Sequence, residues 1–162
     1  MSWLPTVAVL LLSVICQATV VPYLAVLHAP PDFVLTAVML TGLIAGSASG
    51  GAYGVAAGLC LDLWRGRQIG LMAIGIGLAG ALAGLVGERV YPGRAGVRFL
   101  TVSLGTVLAQ GIILGLYRAT HGLVAWSAVE RTVGLQALYN GVLAVICYPL
   151  VIRLRRGVAP TP

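Results

Sequence analysis

Four long stretches of this chain contain no charged residue: residues 4–27, 70–87, 99–117 and 132–152. About 20 residues of helix, at 1.5 Å each, cross a hydrocarbon core roughly 30 Å thick. Lipid offers no hydrogen-bonding partner for the backbone, so each stretch is expected to be a helix; the ten-residue alternation of a membrane barrel is absent. Composition agrees, with 59% hydrophobic and only 9% charged residues and a mean hydropathy of +1.01. Soluble domains carry about 25% charged residues. A soluble enzyme, a secreted disulfide scaffold and a disordered regulator are thereby excluded.

A fifth uncharged stretch, 33–61, would make one helix about 44 Å long, too long without a steep tilt. Ser47-Ala48-Ser49-Gly50-Gly51 in its middle is a break signal. The expectation is therefore a single integral membrane domain over 1–162, an all-α polytopic bundle of six helices near 4–27, 32–46, 51–64, 70–88, 97–118 and 131–153. One over-long bent helix is the alternative for the second and third. Helices as short as these two must tilt little, thin the bilayer, or pack inside the bundle. The N-terminal stretch lacks a basic n-region and a good cleavage site, and is expected to be a membrane helix rather than a cleaved leader.

All ten basic residues are arginines, and they cluster between the uncharged stretches. That distribution points to topology and anionic lipid rather than nucleic acid, for which a basic stripe with interleaved aromatics is wanting. With six spans and the N-terminus inside, the inner segments hold Arg89, Arg94, Arg98, Arg153, Arg155 and Arg156. The outer segments hold Arg65, Arg67, Arg118 and Arg131. The compact Arg153-to-Arg156 cluster makes the C-terminus cytoplasmic, and merging the second and third helices leaves that side unchanged.

Reactive groups are few. Cys16, Cys60 and Cys147 stand singly in apolar segments, with no ligand spacing, so neither a metal site nor a disulfide framework is expected. Gly75, Gly77 and Gly80 formally match GxGxxG, but inside a membrane helix the pattern reads as packing rather than dinucleotide binding. His28 and His121 fall in loops without a neighbouring nucleophile motif. Gln17, Gln110 and Asn140 lie within spans and are expected to hydrogen-bond between helices.

Of the four acids, Asp32, Glu88 and Glu130 mark helix boundaries; Asp32, after Pro30-Pro31, suits an N-cap. Asp62 stands apart, near the end of the third helix. A carboxylate there is either a functional group or half of an interfacial pair with Arg65, at i,i+3. Gly42, Gly46, Gly50, Gly54 and Gly58 recur every four residues, and Gly80/Gly84 and Gly111/Gly115 repeat the spacing. Small faces of this kind permit close helix approach. They could dock another membrane protein or pack this bundle.

Two blocks together resemble the MreD family of bacterial rod-shape-determining membrane proteins. The first is Ala29-Pro30-Pro31-Asp32-Phe33-Val34-Leu35. The second runs Gly54-Val55-Ala56-Ala57-Gly58-Leu59-Cys60-Leu61-Asp62-Leu63-Trp64-Arg65-Gly66 and resumes at Ile69-Gly70-Leu71. Size, helix count and basic tail fit over essentially the whole chain. The resemblance implies a non-enzymatic scaffold of the peptidoglycan elongation machinery in the bacterial inner membrane, without cofactor. Its partners would be the single-span protein MreC, the RodA glycosyltransferase and its transpeptidase, and through them MreB filaments. On this reading Asp62, Gly66 and Gly70 shape the turn after the third helix, and Gly42, Gly46, Gly54 and Gly58 allow close contact. The family's arrangement is similar to the substrate-binding subunits of energy-coupling-factor transporters, so the alternative function is small-molecule capture by a transporter subunit.

Overall fold

A computed structural model describes residues 4–19, 30–66, 70–121 and 126–156. Those residues form six helices and no strand: α1 (Leu4–Thr19), α2 (Phe33–Ala45), α3 (Ser47–Arg65), α4 (Leu71–Arg89), α5 (Ala95–His121) and α6 (Trp126–Arg156). Three are long and apolar enough to cross a membrane, over Leu71–Arg89, Ala95–Thr120 and Thr132–Arg153. The expected end of the first helix at 27 lies outside the described residues, as do His28 and Arg67.

The shortest described helix sits deepest. In α2 every residue from Val34 to Leu43 is buried, and the helix packs on all five others. A helix encircled by protein need not match the bilayer in length, because its backbone ends meet other helices rather than lipid. Its N-terminus begins beside the middles of α5 and α6, a depth at which unpaired N–H groups would cost several kcal/mol each. Side chains from two other helices and from the cap residue itself meet that demand. Asn140 of α6 accepts from Asp32 N at 2.8 Å, and Gln17 of α1 accepts from Phe33 N at 2.8 Å. Asp32 itself caps the helix, its Oδ1 accepting from Leu35 N at 2.9 Å. Asn140, fully buried, also donates to Thr106 of α5 at 3.1 Å, and Gln110 donates to Gln136 at 3.2 Å.

The second and third helices part at one residue. Gly46 has φ +89°, ending α2 and starting α3. This corrects the expected third helix at 51–64: Ser47 to Gly50 are helical, and the positive φ that only glycine adopts readily is at Gly46. Ser and Gly are poor helix formers, but tertiary packing overrides propensity. Likewise α5 and α6 run past the expected 97–118 and 131–153 at both ends.

Beyond Gly46 the chain doubles back and α3 runs antiparallel to α4. Gly50 lies against Gly80, Gly54 against Ile76 and Gly77, and Gly58 against Ala73. A β-carbon at Gly54 would stand 2.6 Å from the Ile76 carbonyl oxygen, and at Gly50 and Gly58 it would strike backbone. Gly42 of α2 abuts Gly80 and Gly84 of the same α4. In lipid no hydrophobic force drives helices together, so dispersion across such close backbones holds the seam.

Candidate functional site

Carboxylates are scarce, four in 162 residues, and the three whose side chains are described, Asp32, Asp62 and Glu88, all meet helix N-termini. The first four N–H groups of a helix lack intrahelical acceptors and carry the positive end of its dipole. At the start of α4 the N-cap is Gly70, which has no side chain to accept them. Asp62, from the last turns of α3, does so instead. Its Oδ2 accepts from Gly70 N at 2.8 Å and from Ala73 N at 3.4 Å. Its Oδ1 accepts from Met72 N at 3.2 Å. The Asp62 side chain is buried, with 3% exposure, so these bonds form in a low dielectric, where losing them matters most.

Two glycines shape the turn between. Gly66 closes α3 in the left-handed region at φ +59°, its N–H returning to Leu63 O. Gly70 opens α4 at φ +107°. A β-carbon at either meets nothing within 4 Å, so backbone conformation, not crowding, is what glycine answers there. The Arg65 side chain, the sequence-expected partner of Asp62, is outside the described residues; the Asp62 partners that are described are backbone N–H groups. Beside them Trp64 is 65% exposed, as suits an aromatic at a membrane interface.

Glu88 performs the reverse task at the other end of the same pair. From the last turn of α4, its Oε1 accepts from Ser47 N at 2.7 Å and Ser47 Oγ at 2.9 Å, at the first residue of α3. Thus α3 caps α4 and α4 caps α3, with the glycine seam between. By its sequence position Glu88 marks only a helix boundary. The signal that could have found it is the antiparallel register, in which Asp62 reaching Gly70 places residue 88 beside residue 47.

The sequence-singled glycines divide by environment. Gly42, Gly50, Gly54, Gly58, Gly80 and Gly84 are occupied within the molecule, and Gly46 faces Glu88. The docking alternative for Gly42, Gly54 and Gly58 therefore gives way to packing, because α4 already fills that face. Gly75 meets Ile113 and Gly77 meets Val55, which makes the GxGxxG match a helix-packing surface too. By contrast Gly111, Gly115 and Gly134 have open space around them. Cys16, Cys60 and Cys147 are free thiols, and no metal-competent cluster occurs among the described residues.

Comparison with known families agrees with these blocks. The family model described as rod shape-determining protein MreD matches residues 1–158. The chain belongs to the MreD family. Neither the comparison with curated proteins nor that with solved structures returns a match. MreD membership and the three spanning-length helices make this a membrane protein with a role in rod-shape determination.

Proposed function

We propose that this chain is a non-enzymatic scaffold of the bacterial rod-elongation machinery for peptidoglycan. It sits in the inner membrane with its C-terminus cytoplasmic, and its direct partner is the single-span protein MreC. Through that contact it serves RodA, its transpeptidase and MreB filaments. The observation that carries this reading is the family match over residues 1–158. The use of Asp32, Asp62 and Glu88 as helix caps supports an architectural reading of the acids. Arg89, Arg94, Arg98 and Arg153 share the bundle end formed by the last turn of α4, the first of α5 and the last turns of α6, in keeping with a cytoplasmic face there. The Gly111/Gly115 face of α5, open where the α3–α4 face is closed, leaves room for a partner's membrane helix.

Depletion of the protein in a rod-shaped host is expected to give round cells. Gly111→Leu with Gly115→Leu is expected to lower MreC recovery from detergent while the chain stays folded. Rod shape kept on depletion, together with full MreC recovery from the double variant, would defeat this reading.

A further inference from the structure

The most conspicuous side chain that the caps and the glycine seam do not use is Arg98. It lies in the first turn of α5 and is only 9% exposed. On that helix it shares the inward face with Val102 and Ala109, both fully buried. Its guanidinium carbon stands 4.0 Å over the ring of Tyr148 on α6, a cation–π contact. Its Nε is buried with no hydrogen-bond acceptor.

A buried cation without a counter-charge is expensive, and no acid whose side chain is described supplies one. Asp32 and Asp62 cap helices elsewhere in the bundle. Glu88 is engaged by Ser47. Glu130 belongs to the same helix as Tyr148 but lies roughly 27 Å back along its axis. The position also opposes the helix dipole, whose positive end repels a cation and attracts an anion. Exposed Arg94 stands one turn before Arg98, and exposed Arg89 and Arg153 close the same bundle end. These surroundings add positive potential rather than neutralising it.

We propose that Arg98 and Tyr148 form a binding site for a phosphate oxyanion, supplied by the headgroup of an anionic phospholipid. Arg98 donates to the phosphate from a guanidinium seated over the Tyr148 ring, and its fork of N–H groups suits an oxyanion. Apolar surface for the lipid's chain lies across α5 from it, at the same bundle end. A groove of about 430 Å³ runs between α4 and α5, lined by Leu82, Val86, Leu104 and Leu108, with Arg89 and Leu100 at its charged end. Leu100 is half a turn beyond Arg98, and Leu100 and Leu104 face outward with 59% and 63% exposure. The phosphate and the acyl chain are thus offered surfaces at the same bundle end, on the two sides of the first turns of α5.

The test uses the full chain in detergent, with phosphatidylglycerol, phosphatidylcholine or inorganic phosphate added in turn. Melting midpoint and lipid retained in native mass spectrometry are the readouts. Phosphatidylglycerol alone is expected to raise the midpoint. Arg98→Gln should weaken its retention at least about tenfold, the loss of one charge-assisted contact. Arg118→Gln, at the opposite end, should leave retention unchanged. Tyr148→Leu keeps the charge but removes the ring, and should weaken retention to a smaller degree; it decides the matter should Arg98→Gln not fold. Equal stabilisation by both lipids, or unchanged retention in both the Arg98 and Tyr148 variants, would overturn the site. Stabilisation by inorganic phosphate equal to that by phosphatidylglycerol would overturn the lipid as its source. A response to no added anion, with a partner protein crosslinking at position 98 in membranes, would assign Arg98 to a protein carboxylate instead.

Discussion

The two ends of the α3–α4 pair use one device in different surroundings. At one end Asp62 is buried and accepts three backbone N–H groups across a turn shaped by two left-handed glycines. At the other, Glu88 is exposed and accepts an N–H and a hydroxyl from a single serine. Both relieve orphan donors at a helix start, but water can replace Glu88 and cannot replace Asp62. The difference teaches that the weight of a cap depends on what would solvate the helix end without it.

The seam between the two ends is where the largest effect is expected. Gly58→Leu drives a side chain into the Ala73 backbone and should destabilise by about 4 kcal/mol or more. In detergent the variant would elute as aggregate, and its amides at both caps would lose exchange protection together. Protection surviving at Ser47 alone would show that the caps form without the seam. Next comes Asp62→Ala, which strands three N–H groups and should cost about 2–4 kcal/mol in reversible unfolding. Asp62→Asn keeps one acceptor oxygen and should recover about half of that. A thermal midpoint for Asp62→Ala equal to wild type would remove the buried cap from the argument.

Smaller effects sharpen the contrast. Gly66→Ala and Gly70→Ala should each cost about 1 kcal/mol, since both hold positive φ in open space. Asn should be milder than Ala at both, which separates backbone strain from crowding in a melting series. Smallest is Glu88→Ala, where solvent takes over the Ser47 donors. Its midpoint should fall clearly less than that of Asp62→Ala, and a larger fall would reverse the comparison between the ends.

Much of this site was legible in the chain itself. Asp62 stood out because it closes a long uncharged stretch, and Asp32 because two prolines and a cap residue precede an apolar run. Gln17 and Asn140 were recognisable as polar groups needing partners, although their partners proved to be the N–H groups that open α2. Glu88 and Arg98 were not legible in the same way. One looked like any acid at a helix boundary and the other like any topology arginine, because their roles depend on what lies across from them in another helix. The break at Gly46 was misplaced by about a turn for a related reason. Several small residues could have hosted it, and only the packing of Ser47 and Gly50 on α4 selects among them.

The linear order of charges determined that this chain lives in a membrane as a helical bundle, because burying a charge or an unpaired peptide group in lipid is prohibitive wherever it occurs. It also determined where close approach is possible, since only residues without bulk permit it. Which glycines are used, which remain open, and which carboxylate serves which helix were decided by the tertiary structure alone. Those outcomes depend on the register of α3 against α4, a through-space relation that local sequence does not encode.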